Sequence, residues 1–104
     1  MKKVLLNFNS AKTVEWIHEY IKSKLEFEDF YGKNLDALYD ELTSITEDTC
    51  LGVFWQRKKD KKLASYLKKI KKVFQDAERN NSHICVIFGN IEENYEDGRE
   101  NSSL

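Results

Sequence analysis

Three stretches of the chain are apolar in the manner of strands, and they alternate with stretches whose apolar residues recur at helical spacing. Lys2 to Phe8 carries Val4, Leu5, Leu6 and Phe8 almost without interruption, the pattern of a strand covered on both faces. After a loop at Asn9–Lys12 the period changes. Trp16, Ile17, Tyr20, Ile21 and Leu25 share one stripe of a helix that runs to about Leu25, with Thr13 placed to cap it. Leu35, Leu38 and Leu42 stand at i, i+3 and i+7 and predict a second helix to about Thr43, behind Asn34 as N-cap. Thr49–Trp55 has the β-branched and aromatic composition of a buried strand. Arg57–Leu63 predicts a short helix. Ser65 to about Asn80 predicts a longer one, with Leu67, Ile70, Phe74 and Ala77 inward and lysines on the other side. His83–Phe88 is the plainest strand, closed by Gly89.

Strand, helix, helix, strand, helices, strand predicts an α/β domain on a parallel sheet with right-handed crossovers. A chain of 104 residues makes one such domain with a modest core, expected over residues 1–90. Residues 91–104 are polar, acidic and poor in core side chains, so a mobile tail is expected there. Removing the residues after Asn94 is expected to leave the melting temperature nearly unchanged.

Formal net charge is −1 and names no partner, but the charges are segregated. Between Glu26 and Asp48 eight acids face one lysine, and between Arg57 and Lys72 nine bases face one acid. Such polarity suits electrostatic partners. No stretch is apolar enough to span a membrane, and the apolar run after Met1 is far shorter than that of a signal peptide. A cytoplasmic protein is expected, without membrane association. Cys50 and Cys85 read as reduced thiols buried on strands. Without a clustered histidine pair they do not make a zinc site, and neither metal nor cofactor is expected. His18 lies off the stripe of its helix, with no catalytic partner nearby in sequence, and reads as a surface or hydrogen-bonded residue.

The most informative stretch is Phe30-Tyr31-Gly32-Lys33-Asn34-Leu35-Asp36-Ala37-Leu38-Tyr39-Asp40-Glu41-Leu42. Gly32 is expected to supply the positive φ of a sharp turn, and Tyr31 to pack the loop onto the core. Rotated away from the apolar face are Asp36 and Asp40, four apart and so neighbours in space, with Tyr39 between the two faces. An acid in the first turn complements the helix dipole, which explains Asp36 and not Asp40. Like charges at i, i+4 cost a few tenths of a kcal/mol. An anionic face is therefore kept at a local cost.

This stretch resembles the barstar family, intracellular inhibitors of small secreted microbial ribonucleases, through the pattern Tyr-Tyr-Gly-x-Asn-Leu-Asp-Ala-Leu-Trp-Asp. Phe30 and Tyr39 replace the first Tyr and the Trp, while Gly32, Asn34, Leu35, Asp36, Ala37, Leu38 and Asp40 are identical to the pattern. The likeness extends more weakly over roughly the first ninety residues. It implies a barstar-like fold, a small three-stranded parallel sheet packed by helices with the first strand in the middle. It also implies a monomeric, immunity-type inhibitor, as in toxin–antitoxin pairs, that blocks a cationic ribonuclease site with carboxylates in place of RNA phosphates. By position, Asp40 would be the central phosphate mimic and Asp36 a flanking ion pair. Phe30 and Tyr39 would give aromatic contact, and Gly32, Asn34 and Leu35 the loop edge. Asp76 and Val73 on the last long helix, with Ile45 and Glu47 after the second helix, would complete the contact set. Lys33, Lys69 and Lys72 depart from this pattern by adding positive charge near it.

Other function classes fit less well. The lysine-rich segment lacks interleaved aromatics or a reading motif, which weighs against a nucleic-acid module. Asp36 and Asp40 have no histidine in a recognisable motif and no phosphate-binding glycine loop beside them, which weighs against an enzyme. The alternative retained is a protein-binding or regulatory module on the same fold with a non-ribonuclease partner.

Overall fold

The computed structural model describes residues 1–91, and the expectations for the tail beyond lie outside the described residues. The elements are β1 (Lys2–Asn7), α1 (Val14–Leu25), α2 (Leu35–Thr43), β2 (Thr49–Trp55), α3 (Lys61–Asn80) and β3 (Ile84–Ile91). The three strands form one parallel sheet. Register layers such as Val4–Leu51–Val86 and Leu6–Val53–Phe88 run straight across it. These layers join Ile17 and Ile21 of α1, Leu38 and Leu42 of α2, and Leu63, Leu67, Ile70, Phe74 and Ala77 of α3 in one core. The α/β architecture is the one expected, a small three-stranded parallel sheet packed by helices.

The strand order is β1-β2-β3, so β2 and not β1 is central. The expected place of the first strand is corrected. β2 (Thr-Cys-Leu-Gly-Val-Phe-Trp) has no charged side chain, whereas β1 opens on two lysines, which suit an edge. β1 is also not covered on both faces: Leu5 is 57% exposed, as is Ile87 of β3. Among the described residues the helices cover one face of the sheet only, and β2 alternates buried with half-buried along its whole length.

The two helices expected between Arg57 and Asn80 are one. Asp60 caps it by accepting from the Lys62 and Leu63 N–H groups at 2.8 and 3.2 Å, and Leu63 continues the buried stripe of Leu67, Ile70 and Phe74. No glycine or proline interrupts it. Thr13 caps α1 as expected, accepting from Trp16 N at 2.9 Å. β3 runs past Gly89, which faces Phe54 of β2 near a register irregularity between Val53 and Trp55.

His18 is fully buried. Its Nδ1 lies 2.7 Å from the Tyr31 hydroxyl and its Nε2 2.6 Å from that of Tyr66. In either neutral tautomer one ring nitrogen donates and the other accepts, so both are satisfied. Burial holds His18 below its ordinary pKa and raises both tyrosine phenols above theirs. The chain Tyr31–His18–Tyr66 links α1, the loop before α2, and α3.

Candidate functional site

Tyr31 is the anchor of the loop before α2. It is 4% exposed, packed edge-on against Phe27 and hydrogen-bonded to His18. Phe30, its neighbour, points the other way and is 77% exposed. The turn then differs from expectation. Gly32 does not take positive φ; Lys33 does, at 56°. Gly32 eases a close approach instead, since a Cβ there would sit 3.2 Å from the Ala37 Cβ, a tight contact. The loop approaches the first turn of α2 closely enough that a side chain here would need Ala37 to give way by a few tenths of an ångström. Asn34 caps that turn as expected, its Oδ1 accepting from the Ala37 N–H at 2.7 Å. Lys33 is drawn back onto α1 by an ion pair with Glu19, which lowers the Glu19 pKa and raises that of Lys33.

On α2, Leu38 and Leu42 are buried and Leu35 and Tyr39 partly so. Asp36 and Asp40 lie on the exposed side, on successive turns. Among the described residues neither carboxylate has an ion pair or side-chain hydrogen bond. Thr43 and Ser44 hydroxyls donate to the Asp40 carbonyl at 3.2 and 2.7 Å. These bonds satisfy a helix-end carbonyl and leave the acid free.

Tyr39 turns toward α3, where its hydroxyl accepts from Asn80 Nδ2 at 2.8 Å. The same amide reaches the Asp76 carbonyl at 3.1 Å, so Tyr39 and Asp76 share one hydrogen-bonded corner. The Asp76 carboxylate is not free. Arg79 donates to it at 2.7 Å and Lys72 lies 3.4 Å away. Arg79, then Lys72, holds its pKa below the ordinary carboxylate range. Val73 is partly buried against the core. Ile45 is also half-buried, with its carbonyl held by Asn81 at 2.9 Å. Glu47 is exposed in the turn before β2.

The structure thus gathers Asp36, Tyr39 and Asp40 on α2, with Phe30 and the loop edge just before it, and ties Asp76 to them through Asn80. Sequence reasoning missed Arg79 and Asn80. Arg79 was legible as an i, i+3 partner of Asp76. Asn80 carried no signal, because Tyr39 lies 41 positions away. Two carboxylates exposed on one side of a helix can accept hydrogen bonds and neutralise cations. Among the described residues no group of three or more His, Cys, Asp or Glu side chains could hold a metal ion, and no helix is long and apolar enough to cross a membrane.

A Bacillus subtilis (strain 168) protein named "Putative ribonuclease inhibitor YrdF" is 44% identical over 43 residues. That stretch is 41% of this chain and 47% of YrdF, so the chain spans about half the length of the curated relative it matches. The family model described as Barstar (barnase inhibitor) matches residues 1–97. That match takes in every strand and helix described here together with the loop and acidic edge of α2, and the chain belongs to the barstar family.

Proposed function

We propose that this protein inhibits a small microbial ribonuclease by seating the α2 edge and the Phe30 loop in its cationic active site. One observation carries the reading: Asp36 and Asp40 stand exposed on a capped helix, without a counter-charge among the described residues, beside an exposed Phe30. A ribonuclease site is a set of cations and donors arranged for a phosphodiester. Carboxylates fixed on a rigid helix can take those places without ordering a flexible segment on binding. In this reading Asp40 is the central phosphate mimic, Asp36 a flanking ion pair, and Phe30 and Tyr39 the aromatic contacts. Gly32, Asn34 and Leu35 form the loop edge, with Val73, Asp76, Ile45 and Glu47 at the periphery. The protein acts as a cytoplasmic, immunity-type monomer. Membership of the barstar family and the name of the YrdF relative support the ribonuclease as partner.

The test is inhibition of barnase by the wild type and by Asp40→Ala, in a substrate-cleavage assay. Inhibition by the wild type that is largely lost in the variant is the expected result. Equal inhibition by both would overturn the phosphate-mimic assignment. One observation favours a second reading, a non-ribonuclease protein partner. Asp76 is already neutralised by Arg79 and Lys72, so this corner offers a basic target less than the α2 edge does. Failure of the wild type to bind barnase would move the weight to that reading.

A further inference from the structure

The face of the sheet not covered by helices holds two thiols side by side. Cys50 of β2 and Cys85 of β3 are register partners, with their sulfurs 3.5 Å apart. Both were expected to be buried, and both are half-exposed free thiols. The expectation fails because residues on the open face are themselves apolar, Leu5 and Ile87 among them. Their strands therefore look covered on both sides when read as sequence. Partners on adjacent parallel strands point to the same side, with backbones about 4.8 Å apart, inside the Cα range of about 4.4–6.8 Å that disulfides span.

Lys3 of β1 is the register partner of Cys50 on its other side. It lines the same shallow depression as Cys50, Leu5 and Gly52. The row Lys3–Cys50–Cys85 thus runs across the three strands, with the second thiol directly beside the first. The thiolate is the nucleophile in exchange, and the depression leaves Cys50 open to an approaching small disulfide. Cys85 is disfavoured as the first to ionise: its contact with Cys50, then burial and the Glu78 charge, raise its pKa.

We propose that Cys50 and Cys85 form a dithiol site oxidised by low-molecular-weight disulfides, with Cys50 as the attacking and Cys85 as the resolving thiol. The Cys50 thiolate attacks one sulfur of the small disulfide, forming a mixed disulfide and expelling the first small thiolate. Cys85 then loses its proton and attacks the Cys50 sulfur. The Cys50–Cys85 bond forms, the mixed disulfide breaks, and the second small thiolate leaves. Two protein thiols are oxidised, one small disulfide is reduced, and the two protons released by the cysteines end on the two small thiols. The site lies on the sheet face away from the helices, so its oxidation leaves the α2 edge in place and stands independently of the inhibitor reading.

The test uses the full-length reduced protein and oxidised glutathione, with iodoacetamide quenching and intact-mass and peptide analysis. The expected product of the wild type is a chain lighter by two hydrogens, free of glutathione and of alkylation, with Cys50 and Cys85 in one linked peptide pair. Cys85→Ser should retain one glutathione on Cys50. Cys50→Ser should react at least tenfold more slowly at the same pH. A wild type that stays reduced, or that keeps glutathione on both cysteines, would overturn the site. Equal rates for the two single variants would overturn the assignment of Cys50 as the attacking thiol.

Discussion

Asp40 sits past the first turn of α2, where the helix dipole no longer favours an acid, and one turn from a like charge. Replacing it by Ala removes no core atom and raises helix propensity. Asp40→Ala is therefore expected to fold as well as the wild type while weakening ribonuclease binding by at least about 2 kcal/mol, the usual hot-spot threshold. That scale is taken from such complexes, barstar's among them, and not from this geometry. Association and dissociation rates against captured barnase decide it. His18 makes a different prediction. Its folded-state pKa is below the ordinary value because the ring is buried, so the unfolded chain binds a proton that the folded chain sheds. Its contribution is complete above about pH 6.5, the ordinary histidine value, and is lost as pH falls from there toward the lower folded value. The urea midpoint should therefore drop between pH 7 and pH 5.5 by more in the wild type than in His18→Gln. Equal drops would show that His18 does not govern this pH dependence.

Among elements, α3 shows what a periodic pattern conveys and what it hides. The stripe from Leu67 to Ala77 was legible, yet Leu63 was assigned to a separate helix because the basic run Arg57–Lys62 has no apolar residue to set the phase. Asp60 settles it by capping the first turn. Asp60→Ala should lower stability by about 1 kcal/mol, read by denaturant unfolding, and no change would show that the cap is dispensable. The α2 edge was legible for a related reason: Asn34, Leu38 and Leu42 fix the rotation of the helix and hence the exposure of Asp36 and Asp40. The loop was harder. Gly32 implied positive φ, but the residue that adopts it is Lys33, and the glycine serves the approach to Ala37. Strand order was not legible from the pattern at all, since three apolar runs separated by helices permit more than one parallel order. The burial of His18 was hidden too, because Tyr66 is 48 positions away.

Across the whole molecule, the acidic α2 edge is bordered by the lysine-rich α3. Lys72 is mostly exposed while it contacts Asp76. At a surface pair such as this, the long-range field matters more than the pair itself. Lys72→Glu should raise the association rate with a basic ribonuclease at low salt, and the gain should shrink as ionic strength rises. Stopped-flow association at two salt concentrations measures it, and an unchanged rate at low salt would exclude steering by this edge.

The central position of β2 also orders assembly in time. Neither of its pairings is local. β1 reaches it across two helices, and β3 across α3 alone, with Cys50 and Cys85 35 positions apart. Loop length separates these closures little, since closure entropy grows only logarithmically. The difference is that α3 fills most of the connection from β2 to β3 and packs against β3 and α2. The unit β2–α3–β3 should therefore form the folding nucleus, with β1 adding to the finished edge. In a chevron experiment, Ile70→Val and Val86→Ala should slow folding, whereas Leu6→Ala should mainly speed unfolding. The reverse pattern would place β1 in the nucleus, and the sheet would then grow from the other side.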